Sequence, residues 1–356
     1  MRAAVCMSGG VDSSLAALLL REQGHEVTGL TAWLWRCSTP EREGACCGSV
    51  EALRAAREAA EALGIGHEVV DLSEEFEREV VEPTARAYAS GRTPNPCVLC
   101  NARVRFPLLA AAARDLGAEA VATGHYARTG PREGGGVRLL RGVDPGHDQS
   151  YFLFAVRAGD LAFARFPLGG WTKAEARSRM DAAGHPAARR ASSQDLCFAA
   201  GRARTALVRS RRPEAARPGP IVDLEGNVLG AHGGLAAYTV GQRKGLGLAA
   251  GRPLYAVELR PETNELVVGP PEALDCSRFA VEGLRWLSPP PPRGELDALV
   301  QVRYRTRPAR AKAILSGDGA EVLLEAPVRA VAPGQAAVFY DGDEVIAGGW
   351  IARRTG

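Results

Sequence analysis

The chain has 356 residues, 46% hydrophobic and 24% charged, with a formal net charge of +3. That length is more than one domain normally holds, so two or three are expected, and the balance of residue classes excludes a disordered or fibrous chain. No basic segment leads into an apolar stretch at the start, and the longest apolar run there, Leu15 to Leu20, is far too short to cross a bilayer, so a cytoplasmic protein without a membrane partner is expected.

"RAAVCM" reads as a buried strand and "VDSSLAALLLREQG" as a helix stopped at Gly24. "HEVTGLTAWLW" is a second strand. "SVEALRAAREAAEALG" is rich in helix formers and ends at Gly64. "HEVVDL" is a third strand, and "EEFEREVVEPTARAYASG" a helix expected to break near Pro83. After the loop "RTPNPCVLCN" comes the helix "NARVRFPLLAAAARDLG", with Asn101 as its expected N-cap, and then the strand "AEAVATGHYA". Repeated strand–helix units of this length predict an α/β, doubly wound parallel sheet, with ligands beyond the carboxyl ends of its strands.

The pattern changes after about Arg204. Pro213, Pro218 and Pro220 mark a linker, and short alternating strands follow in "PIVDLEGNVLG", "AAYTVGQ" and "PLYAVELRPETNELVVG". "SPPPPRG" separates these from "DALVQVRYR", "ARAKAILS", "EVLLEAPVRA" and "AAVFYDGDEVIAGGWI". The expected organisation is a nucleotide-binding catalytic domain over 1–205, a small central β domain over 206–278 and a C-terminal β-barrel over 279–356, the last two antiparallel.

Charge is unevenly placed. Arg189 to Arg217 holds eight arginines against Asp195 and Glu214, and Arg303 to Lys312 holds four arginines and a lysine with no acid. Such clusters are either phosphate contacts or solvated faces. Lysine occurs only at Lys173, Lys244 and Lys312. His185 and His232 read as surface or packing residues.

"CMSGGVDSS", Cys6 to Ser14, stands between the first strand and the first helix. Two glycines turn backbone amides inward, the helix dipole points at the turn, and Ser8, Ser13 and Ser14 add hydroxyls: an anion cradle. No lysine follows the glycines, so this is neither the G-x-x-x-x-G-K-[ST] loop nor G-x-G-x-x-G. S-G-G-x-D-S matches the pyrophosphate loop of enzymes that cleave ATP between the α and β phosphates. Asp12 puts a negative charge where an anion is expected, which a Mg2+ ion would resolve. The plainer role for Asp12 is stabilising the helix start.

Eight cysteines in a reducing compartment are not a disulfide framework. Cys6 and Cys276 read as small buried hydrophobes. Cys37, Cys46 and Cys47 form a group after the second strand, read as accidental rather than as an auxiliary metal or thiol site.

Together, "CMSGGVDSS", "GRTPNPCVLCN", "ATGHYAR", "HDQSYFL", "SSQDLCF", "YTVGQRKGLG", "VRYR" and "PGQAAVFY" run in order along nearly the whole chain. The sequence resembles the tRNA-specific 2-thiouridylases, which convert the wobble uridine, U34, in the tRNA anticodon loop to 2-thiouridine with ATP. The resemblance implies Cys100 as catalytic nucleophile and Cys197 as carrier of a persulfide sulfur, with a donor protein loading that persulfide or, alternatively, sulfide bound to a cluster serving as the sulfur source. It implies Cys6, Met7, Ser8, Gly9, Gly10, Val11, Asp12, Ser13, Ala32 and Gly124 as the ATP site. Asn95, Pro96 and Cys97 are expected beside the target base, and His125, His147, Asp148, Gln149, Arg303, Tyr304 and Gln335 as tRNA contacts. Cys100, just ahead of the expected helix, would gain thiolate character from its dipole.

Many relatives carry aspartate where this chain has Cys97. With Cys97, Cys100 and Cys197 sharing one pocket, an oxygen-sensitive [4Fe-4S] cluster is expected. A persulfide relay with Cys97 idle and a zinc site, which normally takes four protein ligands, are the alternatives. Two rival functions remain open: another adenylating tRNA-modifying enzyme, such as a lysidine synthetase, and an RNA-binding redox sensor that consumes no ATP.

Overall fold

The structure is a computed structural model that describes residues 1–35, 50–190, 197–198, 202–249 and 251–354. Cys37, Cys46 and Cys47 lie outside the described residues. Chain contacts divide the protein into two compact units: Met1–Val81, Cys97–Phe198 and Asp343–Val345, and Glu82–Pro96, Ala199–Gly342 and Ile346–Gly356. No helix among the described residues is long and apolar enough to cross a membrane.

In the first unit β1 (Arg2–Cys6), β2 (Glu26–Trp33), β3 (Gly66–Asp71), β4 (Ala120–Ala122) and β7 (Ala164–Arg165) form one sheet in the order β3-β2-β1-β4-β7. Every described pairing in it is parallel, as the alternation of strands and helices requires. One face is covered by the helices Val11–Glu22 and Val50–Ala62, whose Ala16, Ala17, Ala56, Ala59 and Ala60 are buried with Val5 and Val27. Small side chains let helix and sheet approach closely, and this brings Ala55 against the loop after β1. The helix Lys173–Ala182 packs Ala176 and Met180 with Leu15 and Tyr126. A hairpin of β5 (Ala127–Pro131) and β6 (Val137–Arg141) follows β4. Its turn at Gly134, Gly135 and Gly136 takes positive φ throughout, which glycine alone does without strain; the sequence reading had no hairpin there.

Two helical expectations change. The chain stays helical through Pro83, as Ser73–Phe76, a widened π turn over Glu77–Val81, and Glu82–Ala89. Proline lacks the N–H of an ordinary turn, and the wide turn ahead of it absorbs the mismatch. The helix at the C-x-x-C pair begins at Pro96, not at Asn101: it runs Pro96–Leu99, then a π turn over Cys100–Arg105, then Phe106–Asp115. Proline suits a first helical position because it has no N–H to leave unpaired. Asn101 caps nothing; its Nδ2 donates to the Phe152 carbonyl at 3.2 Å.

In the second unit β8 (Gly219–Val222), β9 (Val228–His232), β10 (Tyr255–Arg260) and β11 (Glu265–Gly269) form a sheet in the order β10-β11-β8-β9. It is antiparallel except for β11 on β8, which is parallel. "AAYTVGQ" is not a strand. It is a 3-10 turn at Leu235–Ala237 leading into a loop in which Gly241, Gly245 and Gly247 have positive φ. Then β12 (Asp275–Trp286), β13 (Glu295–Gln301), β14 (Ala309–Ser316), β15 (Gly319–Arg329), β16 (Ala336–Asp341) and β17 (Glu344–Arg354) follow in the order β12-β15-β14-β13-β16-β17, and β12 also pairs with β17. That last pairing closes a barrel and removes its edges. Phe279, Val300, Val322, Phe339 and Ile351 fill it.

Candidate active site

The loop after β1 is built as an anion cradle. Met7 N–H donates to Leu30 O at 2.9 Å, and Thr31 Oγ1 donates to Met7 O at 2.8 Å, pinning its entry. Gly9 has φ +73, and a Cβ there would stand 2.5 Å from the Ala55 carbonyl carbon. Arg190 Nη1 donates to Gly9 O at 2.9 Å while its Nη2 holds Glu58 at 2.7 Å. Ser8 N–H donates to Ser13 Oγ at 3.1 Å, and the two hydroxyls lie 3.2 Å apart. Ser14 Oγ is fully buried at the first turn of the helix and has no hydrogen-bond partner among the described residues. Gly124, beyond β4, lies so close that a Cβ would meet Asp12 C at 2.8 Å and Ser13 N at 2.9 Å. Ala32 sits near the carboxyl end of β2. Backbone N–H groups, converging hydroxyls and glycines that admit close approach suit a polyphosphate. We expect Gly9→Ala to destabilise the fold by about 2–4 kcal/mol, from positive φ plus a backbone clash, and to weaken ATP binding; thermal unfolding and titration calorimetry check both.

Asp12 has partners the sequence reading missed. Lys173 Nζ lies 2.6 Å from both carboxylate oxygens, and Tyr126 O–H donates to Oδ1 at 2.8 Å. Burial, and then the Asp12 charge and hydrogen bond, push the Tyr126 hydroxyl far up, so it stays a donor. Lys173 N–H in turn donates to Asp144 Oδ2 at 2.9 Å, an oxygen that also lies 3.0 Å from His147 Nδ1. "TKAE" could have pointed here: Thr172 and Glu175 form a capping box that fixes the start of the Lys173–Ala182 helix.

The "HDQ" segment braces the same corner. Asp148 is buried; its oxygens accept from Arg141 Nη1, Gly142 N–H, Ser150 N–H and Ser150 Oγ at 2.9–3.0 Å. Gln149 Oε1 accepts from Tyr126 N–H at 3.0 Å, and Gln149 N–H donates to Tyr126 O at 2.8 Å. Asp148 and Gln149 therefore hold the strand end that presents Tyr126 to Asp12, and His147 is half-buried. His125 is buried between Phe106 and Phe166, 2.8 Å from Thr123 Oγ1. Burial, helped by the Arg105 charge, lowers it to about 3, so it offers a neutral imidazole.

Cys97 is exposed, Cys100 buried and Cys197 half-buried. Because the helix starts at Pro96, its dipole falls on Cys97 rather than Cys100, which lies a full turn in. Next to Cys197, Phe198 packs edge-on to Phe76 at 5.4 Å and against Trp35, just past β2, at 6.2 Å. Among the described residues no group of three His, Cys, Asp or Glu side chains is placed to hold a metal ion. Cys97, Cys100 and Cys197 form no such single-ion group. Burial pushes the Cys6 thiol up to about 11, keeping it protonated. Cys276 is buried in the barrel.

In the second unit Asn95 and Pro96 are buried. Gln335 Nε2 donates to Thr93 O at 2.9 Å, and Thr93 N–H donates to Pro333 O at 2.7 Å, so a barrel loop grips the chain just ahead of the C-x-x-C turn. Arg303 Nη2 lies 3.4 Å from Val240 O, bringing "VRYR" to "YTVGQRKGLG", where Arg243 and Lys244 are exposed. The Arg305 guanidinium stacks over Tyr304. The other arginine cluster is partly structural: Arg204 stacks on Tyr88 and donates to Ala237 O, and Arg211 and Arg212 pair with Glu82. His185 and His232 are buried against the backbone carbonyls of Ala59 and Asn264.

A parallel sheet with a phosphate cradle at the carboxyl end of β1, followed by a small β domain and a closed barrel, defines a nucleotide-binding enzyme architecture. Three family profiles match in that order: the tRNA methyl transferase HUP domain over residues 1–201, the tRNA methyl transferase PRC-barrel domain over 207–270 and the aminomethyltransferase beta-barrel domain over 276–351. The chain is 49% identical to a tRNA-specific 2-thiouridylase MnmA of Chloroflexus aggregans, covering 98% of each chain. It is also 49% identical to the protein of that name from Paramagnetospirillum magneticum, over 98% of this chain and 95% of the other. A third, from Methylobacterium radiotolerans, is 47% identical over 99% of this chain and 94% of its own length. The chain belongs to the tRNA-specific 2-thiouridylase family.

Proposed function

We propose that the protein converts the wobble uridine U34 of tRNA to 2-thiouridine in an ATP-dependent reaction. The phosphate cradle after β1, with Gly124 against it, carries this reading at the level of chemistry. Uracil O2 attacks the α phosphorus of ATP and pyrophosphate leaves, so O2 becomes the oxygen of a good leaving group. Ser8, Gly9, Gly10, Val11 and Ser13 hold the phosphates, with Cys6, Met7, Ala32 and Gly124 flanking the nucleotide. Mg2+, on Asp12 and phosphate oxygens, would neutralise phosphate charge; Asp12 would have to share its oxygens with Lys173.

The terminal sulfur of a Cys197 persulfide, loaded by a sulfur donor, attacks C2 and AMP departs. The Cys100 thiolate then attacks the Cys197 sulfur and breaks the S–S bond. The thiocarbonyl is released, and the resulting Cys100–Cys197 disulfide needs a thiol reductant before the next turnover. Exposed Cys97 beside buried Cys100 favours this relay over a cluster, with Asn95, Pro96 and Cys97 flanking the flipped base.

With tRNA present, α-labelled ATP is expected to yield AMP and pyrophosphate; ADP and phosphate as the only products would overturn the reading. The tRNA body is taken by Arg303, Tyr304, Gln335 and their neighbours, and by His147, with His125, Asp148 and Gln149 shaping the inner wall. Arg303→Ala should weaken tRNA binding and reduce the slope of log affinity against log salt by about one. An unchanged slope would show that Arg303 serves only the Val240 carbonyl.

A further inference from the structure

The glycine–serine loop has no lysine of its own, yet an ammonium group stands at its mouth. Lys173 comes from a helix far along the chain, and its side chain is only 12% exposed. It is one of three lysines among 44 basic residues. In a chain that otherwise uses arginine, this position holds the compact point charge on a flexible stem that serves a phosphate.

Helix stability alone would not place a cation here. The start of the Val11–Glu22 helix carries positive partial charge, which Asp12 already complements. Lys173 is itself the first residue of a second helix and adds that helix's positive end to the same corner. Glu175 and Asp144 complement the second helix start, so the charge free to turn to a phosphate is the Lys173 ammonium itself, and the first turn of the other helix holds a buried Ser14 hydroxyl with no hydrogen-bond partner among the described residues. The Lys173 backbone is pinned through its N–H to Asp144, while four rotatable bonds leave Nζ able to turn. Asp12 keeps the Tyr126 hydroxyl when Nζ departs.

We propose that Lys173 is the phosphate-binding lysine of this site, paired with Asp12 when no nucleotide is bound and turning to the β and γ phosphates when ATP binds. As the bond from the α phosphorus to its bridging oxygen breaks, the electron pair passes to pyrophosphate, and the Lys173 ammonium offsets that charge. Asp12 is thereby released to a cation. This inference rests on reading the loop as an ATP site.

The test uses the full-length protein without tRNA or magnesium. Inorganic pyrophosphate and AMP are titrated by calorimetry into wild type and Lys173→Gln, with thermal unfolding to confirm folding. Pyrophosphate affinity is expected to fall about tenfold or more, the scale of one charge-assisted contact, and AMP affinity to change less than about twofold. Equal losses for both ligands would reduce Lys173 to a counter-ion of Asp12. Wild type labelled with 15N-lysine gives an independent readout, since only three Nζ signals exist. The Lys173 signal should move with pyrophosphate and stay with AMP; if it stays while pyrophosphate binds, the proposal falls. Wild type that binds neither pyrophosphate nor ATP would overturn the phosphate-loop reading, and this role with it.

Discussion

Cys100→Ala is expected to lower 2-thiouridine formation by at least about three orders of magnitude, the scale on which loss of a nucleophile is felt. Cleavage of ATP to AMP should persist, because the phosphate cradle and the O2 attack do not use that thiol. Cys197→Ala should behave alike, since it removes the sulfur carrier. Cys97→Ala separates the two sulfur chemistries. Cys97 is exposed at the first helical turn, and no three-ligand metal group forms among the described residues. Its loss should cost less than about tenfold in rate, roughly 1.4 kcal/mol, and protein purified without oxygen should hold no stoichiometric iron. If Cys97→Ala removes iron and thiolation together, the three thiols hold a cluster and the relay is wrong.

Asp12→Ala should affect both stability and chemistry. It leaves the Lys173 ammonium, nearly buried, without its carboxylate. Breaking a buried pair costs about 3–5 kcal/mol, but Asp12 is 34% exposed and solvent screens part of that, so about 1–3 kcal/mol is expected. The AMP-forming rate should fall about a hundredfold or more, the scale of losing one preorganised electrostatic group. Binding of tRNA should change little, because its contacts are proposed elsewhere. Denaturant titration, single-turnover ATP cleavage and a tRNA binding assay check the three arms. Normal cleavage would remove Asp12 from the nucleotide site.

The phosphate loop was legible because its signal is local: two glycines, flanking serines and an acid between a buried strand and a helix. The parallel sheet was legible from the same alternation. The partners of Asp12 were not, because Tyr126 and Lys173 lie 114 and 161 residues away and only the folded sheet brings them back. The position of Cys100 was misjudged for another reason. Asn101 is a good N-cap residue, but Pro96 starts the helix earlier and a π turn carries it across the cysteines. The arginine run before Arg217 read equally as phosphate contacts or as a solvated face. Glu82 and Tyr88, over a hundred residues earlier, take up part of its charge.

The most direct test of the account is nucleoside analysis of tRNA after reaction with the pure protein, ATP and a persulfide donor. The account predicts 2-thiouridine at the wobble position, formed only with ATP and in step with AMP. Unthiolated tRNA alongside full AMP production, or thiolation that proceeds without ATP, would contradict it.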